Sequence, residues 1–170
     1  KGTTKVLRHI SDDGFCAVDA MVERMDGLGI DTLVLPAIEM TGDEPMDEFH
    51  HYATRPAEIR DWAAAHPGRF VGMWSIDPNG GDAGPDAAGR ALESNLFVAL
   101  HCHTHSWDRT FDHPDYEPYL RLCAEHGVPF VVQAGQSGGH RVHELGHPDT
   151  IVGPATAHPD VTFVLSHTGY

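Results

Sequence analysis

Continuous apolar runs recur along the chain and predict five buried β-strands. They cover residues 32–38, 70–76, 96–101, 129–135 and 162–167. Unbroken apolar runs, as opposed to alternating ones, are typical of parallel strands that are buried on both faces. Their starts recur roughly every 25 to 40 residues, which is the length of a strand, a helix and their loops. The pattern therefore predicts repeated βα units.

The intervals between these runs predict helices. An apolar stripe with helical spacing over residues 18–28 predicts the first helix, which Gly27 and Gly29 are placed to end. Pro56 is placed to open a second helix and Pro114 a third, which Gly127 would close. Two weaker patterns predict helices over residues 86–94 and 149–157.

Alternating strands and helices form either an open doubly wound sheet or a closed (β/α)₈ barrel, the TIM-barrel fold. Each apolar run ends in a polar or titratable group: Glu39, Asp77, His101 with His103, Gln133, and His167. Barrel enzymes gather their chemistry at the carboxyl ends of the strands. The endings therefore favour an α/β barrel, and the absence of a linker predicts that residues 1–170 are one domain or part of one.

The composition indicates which kinds of molecule the protein is expected to bind. The 170 residues are 41% hydrophobic and 21% charged, as in a soluble globular protein, and the formal net charge is −14. Without a Lys/Arg cluster, that charge makes nucleic acid and membrane surfaces poor partners and favours a small molecule. No run is long enough to span a membrane. Cys16, Cys102 and Cys123 form no disulfide framework or thiolate zinc motif, so a reducing cytoplasm is expected.

Three histidines stand at alternate positions where the third run ends: His101, His103 and His105. Residues two apart on a strand point to the same face, so these side chains are able to converge on one point. Imidazoles that converge in this way are suited to metal binding or proton transfer.

Several segments resemble the amidohydrolase-related family that includes aminocarboxymuconate semialdehyde decarboxylase. The similar segments, in chain order, are DGLGID (26–31), HPGRFVG (66–72), FVALHCH (97–103), DHPDY (112–116), EHGVPFVVQAG (125–135) and HPDVTFVLSHTG (158–169). Each segment is short and weakly specific by itself. Their common order and spacing over most of the chain make the resemblance specific.

The resemblance implies a (β/α)₈ barrel that uses a divalent metal, usually zinc. The implied reaction is hydrolysis or non-oxidative decarboxylation of a small carboxylated or cyclic substrate, in which the metal activates water or polarises a carbonyl group. His167 takes the place of the histidine at the tip of the family's sixth strand. It is therefore expected to act as the general acid or base.

The sequence departs from the family's metal site. The family takes ligands from a His-x-His pair on the first strand and a histidine on the fifth. Here His9 stands alone, and Gln133 occupies the fifth-strand position. An amide oxygen is a poor zinc ligand, so a standard zinc site is weakened. A closed barrel takes about 250 residues, so we expect the chain to supply about strands two to six of a longer protein.

The histidine cluster has three open interpretations. His103 matches a histidine of the family's fourth strand, whereas His101 falls where lysine is common. In the first, the three histidines contact a substrate carboxylate through protonated imidazoles, with Gln133 nearby. In the second, His101 and His103 bind a metal as a bidentate pair. In the third, all three histidines are partly exposed loop residues, with His105 beyond the strand on the loop.

Two classes of function follow. The first is a metal-dependent amidohydrolase-type enzyme, a hydrolase or a carbon–carbon lyase. The second is a metal-free, lactonase-like relative or a non-catalytic protein of the same fold, in which the pocket binds a ligand or pairs subunits in a homo-oligomer.

Overall fold

A single parallel sheet organises the molecule. The computed structural model describes residues 17–37, 54–135 and 143–167. The strands are β1 (Leu33–Ala37), β2 (Phe70–Ser75), β3 (Phe97–Cys102), β4 (Phe130–Gln133) and β5 (Phe163–Ser166). They pair in the order β1-β2-β3-β4-β5, and every pairing is parallel. Doubly wound sheets reverse their strand order at a switch point, whereas this order runs on as in a barrel. The five predicted strands are confirmed; Ile38 lies outside the described residues.

Helices follow the strands as the sequence predicts. They are α1 (Val18–Leu28), α2 (Pro56–Ala65), α3 (Ala83–Glu93), α4 (Thr104–Trp107), α5 (Glu117–His126) and α6 (Val152–Ala157). Within the described ranges, 3₁₀ turns lie at Pro114–Tyr116, His143–Gly146 and Pro148–Ile151. The sequence did not predict α4. Pro114 opens a 3₁₀ turn that leads into α5, so the prediction that it opens the α-helix itself is wrong by one turn.

The predicted glycine stops at Gly29 and Gly127 are confirmed, whereas Gly27 lies within α1 and the prediction that it helps to end this helix is wrong. Gly29 after α1 has φ 68° and Gly127 after α5 has φ 64°, a left-handed conformation that glycine adopts without steric penalty. At each stop the amide of the following residue bonds back into the last turn: Ile30 N to Met25 O at 2.9 Å, and Val128 N to Cys123 O at 3.0 Å. These bonds satisfy carbonyl groups that the helix end leaves open.

The main hydrophobic core lies between the sheet and the helices. Ile59 of α2 and Phe97 of β3 are fully buried there. Gly72 of β2 makes room for them: a β-carbon at this position would lie 2.5 Å from the Phe97 ring. Burial of a side chain of this size stabilises the fold by about 1.5–3 kcal/mol. This face of the sheet is therefore the outer face of the barrel architecture.

The opposite face of the sheet is the inner one. Register places Val34, Ala99 and Val164 on this face, away from the core that Gly72 and Phe97 share. Ala99 is buried at the centre, whereas Val34 is 48% and Val164 42% exposed on the outer strands. In a closed barrel the inner face is packed with side chains. Across the described ranges, no helix is long and apolar enough to cross a membrane.

Candidate active site

His101 lies near the end of β3 on the inner face, in register with Ser75 of β2 and Val131 of β4. It is 6% exposed. Its buried Nδ1 atom has no hydrogen-bond partner among the described residues. An unsatisfied buried nitrogen destabilises the fold unless a ligand or water completes its bonding, so it marks a position where a bound group would fit.

The charge state of His101 is set by its surroundings. Burial, and then the charge of His167, lower the pKa of His101 to about 4. At neutral pH the ring is therefore uncharged. It offers one N–H donor and one lone pair. Burial thus disfavours a protonated His101 in the unliganded chain, and the interpretation that the cluster contacts a substrate carboxylate stays a prediction.

Gln133 shares the inner face with His101. It ends β4 two residues after Val131, which is the register partner of His101, and it pairs with Ser166 of β5. The side chain is half-buried. Its amide adds two donors and one acceptor to the carboxyl end of the sheet.

His103 and His105 are buried. The chain passes from β3 directly into α4, so His103 is the residue before the helix and His105 lies within it. The two side chains are 9% and 2% exposed, and their ring centroids are 5.6 Å apart. The interpretation of the cluster as partly exposed loop residues is therefore wrong, and so is the placement of His105 on a loop.

Ser106 fixes His103 from two directions. Its hydroxyl group forms a close hydrogen bond with Nδ1 of His103. Its amide donates to the His103 carbonyl at 2.9 Å. The second bond closes the first turn of α4, so the ring and the backbone of His103 are held by the same residue.

The segment after β4 closes over this cluster. The amide of Gly135 donates to the carbonyl of Gly146 at 2.7 Å. This bond ties the turn His143–Gly146 to the end of β4, and the turn contacts α4. The backbone thereby surrounds His105 on the side of β4.

His167 follows β5 directly and is exposed. Its φ of 59° is a left-handed conformation that is uncommon for residues other than glycine. Such backbone strain is concentrated at functional sites. His167 is within electrostatic range of His101, because its charge contributes to the lowered pKa of that residue.

Of the other predicted strand-end groups, only Asp77 is among the described residues, and it does not join this cluster. Glu39 lies outside the described residues. Asp77 stabilises the turn in which it lies. Its carboxylate accepts a hydrogen bond from Asn79 N at 3.0 Å, and its carbonyl accepts one from the Tyr119 hydroxyl at 2.6 Å. Asp77 is therefore a structural residue of the loop after β2.

Arg109 links the loops at the same edge, and the sequence did not single it out. Its guanidinium group contacts Asn79 Oδ1 at 2.8 Å, the Trp107 carbonyl at 3.3 Å and the Asp115 carboxylate at 3.1 Å. Asn79 lies in the loop after β2, Trp107 at the end of α4, and Asp115 in the 3₁₀ turn before α5. These three contacts, here called the Arg109 clasp, hold α4 in place beside the loop after β2.

The fit of a metal ion depends on how many ligands converge. Within the part of the chain that the structure describes, no three His, Cys, Asp or Glu side chains lie close enough to hold an ion. Nδ1 of His101 is able to supply one metal ligand. The described residues therefore do not form a metal site by themselves.

Comparison with known proteins identifies the family. A family model described as amidohydrolase matches residues 19–170. The chain belongs to the amidohydrolase family. This membership confirms the resemblance inferred from the sequence. A search of curated proteins finds no match.

Solved structures show the same fold. A 2,6-dihydroxybenzoate decarboxylase from Rhizobium is 21% identical with a TM-score of 0.64, over 97% of this chain and 59% of that one. A 5-carboxyvanillate decarboxylase from Sphingomonas paucimobilis is 18% identical with a TM-score of 0.61, over 87% and 50%. The enzyme of that name from Novosphingobium aromaticivorans, solved with bound manganese and 3-methoxy-4-hydroxy-5-nitrobenzoic acid, is 20% identical with a TM-score of 0.62, over 98% and 53%. The chain thus spans about half the length of these structures. At this identity, the likeness establishes the barrel fold.

Proposed function

We propose that this chain carries part of the active site of an amidohydrolase-type enzyme that decarboxylates a small aromatic carboxylate without oxidation. The observation that carries the proposal is the buried, uncharged His101 with its open Nδ1 atom, on the inner face of the sheet. Barrel enzymes carry their catalytic residues at the carboxyl ends of the strands, and His101 is a buried polar group at such an end.

The chain's own residues have distinct roles in this proposal. His101 and Gln133 lie on one face and contact the substrate by hydrogen bonds from neutral groups. His103 and His105, buried in the wall beside them, complete the substrate pocket. A pocket of buried donors binds a carboxylate through directed hydrogen bonds and excludes water from the reacting atoms.

His167 moves the proton. In decarboxylation, the ring carbon that bears the carboxylate receives a proton, the carbon–carbon bond breaks, and its electron pair returns to the ring as carbon dioxide leaves. His167 is exposed at the end of β5, where it is able to exchange its proton with solvent. An imidazole is suited to this transfer because its ordinary pKa is close to neutrality.

A divalent metal is part of the proposal, as the family resemblance implies zinc. One structural relative was solved with bound manganese, so both ions are candidates. His101 and His103 are the candidate ligands on this chain, and the remaining ligands would come from outside the described residues.

Hydrolysis of a cyclic substrate is the second candidate reaction. Gln133 favours hydrolysis by an enzyme that works without metal, because an amide in place of the family's fifth-strand histidine weakens a zinc site. We further propose a single-domain cytoplasmic protein with a small-molecule partner and a possible homo-oligomer, in keeping with the charge of −14 and the family.

Turnover by the full-length protein tests the proposal. We expect release of carbon dioxide from 2,6-dihydroxybenzoate or 5-carboxyvanillate, lost with the bound ion after chelation and restored by zinc or manganese. His167→Ala should lower kcat by about 100-fold or more. His126→Ala, a change at an exposed residue at the end of α5, is the matched control. Turnover of neither acid, or His167→Ala within a few-fold of the parent, would contradict the assignment.

A further inference from the structure

We propose that Asn79 is a site of spontaneous deamidation whose rate is controlled by the Arg109 clasp. Asn79 is exposed in the loop after β2 and is followed by Gly80. The chemistry is hydrolysis of a side-chain amide, with water as the reactant. The inference goes beyond the proposed function, because it involves neither the histidines nor a substrate.

The reaction takes place within the chain. The backbone nitrogen of Gly80 loses its proton to hydroxide and attacks Cγ of Asn79. The bond between Cγ and the side-chain nitrogen breaks, that nitrogen takes a proton from water and leaves as ammonia, and a cyclic imide remains. Water then opens the imide at either carbonyl group, which yields aspartate or isoaspartate. No oxidant, reductant or cofactor is required.

The residue after each asparagine decides which amide is labile. Gly80 has no β-carbon, so no side chain crowds its nitrogen during the attack. The chain has two asparagines, Asn79 and Asn95. Asn95 is also exposed, but Leu96 follows it and places a branched side chain beside the attacking nitrogen. Asn79 is therefore the labile position, and Asn95 is a control within the same chain.

The native turn engages both reacting groups in other bonds. The amide of Gly80 donates to the Asp77 carbonyl at 3.1 Å, so the attacking nitrogen is held in the turn. The amide of Asn79 donates to the Asp77 carboxylate at 3.0 Å, and its side-chain oxygen accepts from Arg109 Nη1 at 2.8 Å. Together these bonds fix the backbone and the side chain of Asn79, whereas the attack needs freedom in both. The reaction therefore requires the turn to open and the contact with Arg109 to break.

Arg109 controls the rate through this local opening. Deamidation in the folded protein is limited by the fraction of molecules in which the loop is open. A hydrogen bond with a charged donor is stronger than one between neutral groups, so loss of the Arg109 contact should raise the open fraction about 10-fold. Because the attacking amide must first lose its proton, the rate should also rise with pH.

The products alter the carboxyl edge of the sheet. Both add a negative charge to a loop that holds Asp77 and that shares Arg109 with Asp115. Isoaspartate also inserts a methylene group into the backbone, which changes the length of the turn. Conversion to isoaspartate should therefore loosen the support that the Arg109 clasp gives to α4.

Peptide mapping by mass spectrometry tests the site. Full-length protein is incubated at mildly alkaline pH, both folded and in denaturant, and the conversion of each asparagine to aspartate or isoaspartate is followed over time. We expect Asn79 to convert at least about 10-fold faster in denaturant than in the folded protein, with Asn95 slow in both. Equal rates for Asn79 and Asn95 in denaturant would overturn the assignment of the site.

Two variants test the control by Arg109. Arg109→Ala should raise the rate at Asn79 in the folded protein about 10-fold and leave the rate in denaturant unchanged. Gly146→Ala is the matched control and should keep the parent's rate, because the atoms that its methyl group meets belong to Gly135 and His105, not to the Arg109 clasp. An unchanged or slower rate in Arg109→Ala would overturn the inference, since a slower rate would mean that Arg109 promotes the attack. Equal acceleration in the two variants would also overturn it, because the effect would then come from global unfolding.

Discussion

The α-carbon of Gly146 lies against the ring of His105. A β-carbon at Gly146 would lie 2.6 Å from Cε1 of His105 and 2.2 Å from the carbonyl oxygen of Gly135. Both distances are shorter than van der Waals contact. The absence of a side chain at Gly146 is therefore what allows the turn after β4 to close over the buried histidine.

Gly146→Ala should destabilise the protein by about 1–3 kcal/mol, because the added methyl group meets a backbone atom and a confined ring. The free energy of unfolding from denaturant titration measures this change. Gly153→Ala is the control: no atom lies within 4 Å of its added methyl group, and alanine replaces glycine within helix α6. That variant should be neutral or more stable by up to about 1 kcal/mol. Equal loss of stability in the two variants would contradict the packing described.

Arg109→Lys should destabilise the protein by about 2 kcal/mol. Lysine keeps the charge but cannot reproduce the planar group that reaches Asn79, the Trp107 carbonyl and Asp115 together. Thermal and denaturant unfolding measure the effect. Arg90→Lys, at an exposed position of α3, should change stability by less than about 0.5 kcal/mol. If Arg109→Lys is equally mild, the clasp does not hold the loops.

His101 should make stability depend on pH. Its folded pKa of about 4 lies below the usual value of a free histidine, so the unfolded chain binds the proton more readily between those values. The contribution of the neutral ring is complete above about pH 6.5 and is lost as the pH falls toward 4. In chelator-treated protein, the free energy of unfolding of the parent should fall over this pH window by on the order of 3 kcal/mol more than that of His101→Gln. His126→Gln should keep the parent's pH slope; parallel slopes for the parent and His101→Gln would contradict the burial of His101.

The thiols of Cys102 and Cys123 should be unreactive in the native protein. Both are buried, and burial raises the pKa of each to about 12, so little thiolate forms at pH 8. Mass spectrometry after iodoacetamide treatment should find both cysteines unlabelled in native protein and labelled in denaturant. Rapid native labelling of Cys102 would show that β3 is accessible from its outer face.

The sheet and most helix ends were predictable because the signals are local. Continuous apolar runs mark β1 to β5, and Gly29 and Gly127 mark helix stops by the left-handed conformation that such stops require. The first turn before α5 was misassigned because proline at a helix start is compatible with both α and 3₁₀ geometry. There His113 accepts from the amide of Asp115 at 3.3 Å.

The environment of the histidines was not predictable from spacing. Alternation places His101 on the inner face, but the burial of His105 depends on α4 and on a turn that follows β4 some forty residues later, closed by Gly146. The roles of Ser106 and Arg109 had no sequence signal, since a serine in a short helix and a lone arginine occur in any chain. One signal was available: His-Pro-Asp occurs at 113–115, 147–149 and 158–160, and at the first two of these the histidine accepts from the amide two residues on.

We propose that His101 and the neighbouring buried histidines bind a small carboxylate. The most direct test is calorimetric titration of 2,6-dihydroxybenzoate into full-length protein, parent and His101→Ala, with His126→Ala as the control. We predict binding by the parent and the control, and affinity at least about 10-fold weaker in His101→Ala. Equal affinity of the parent and His101→Ala would show that the carboxylate binds elsewhere.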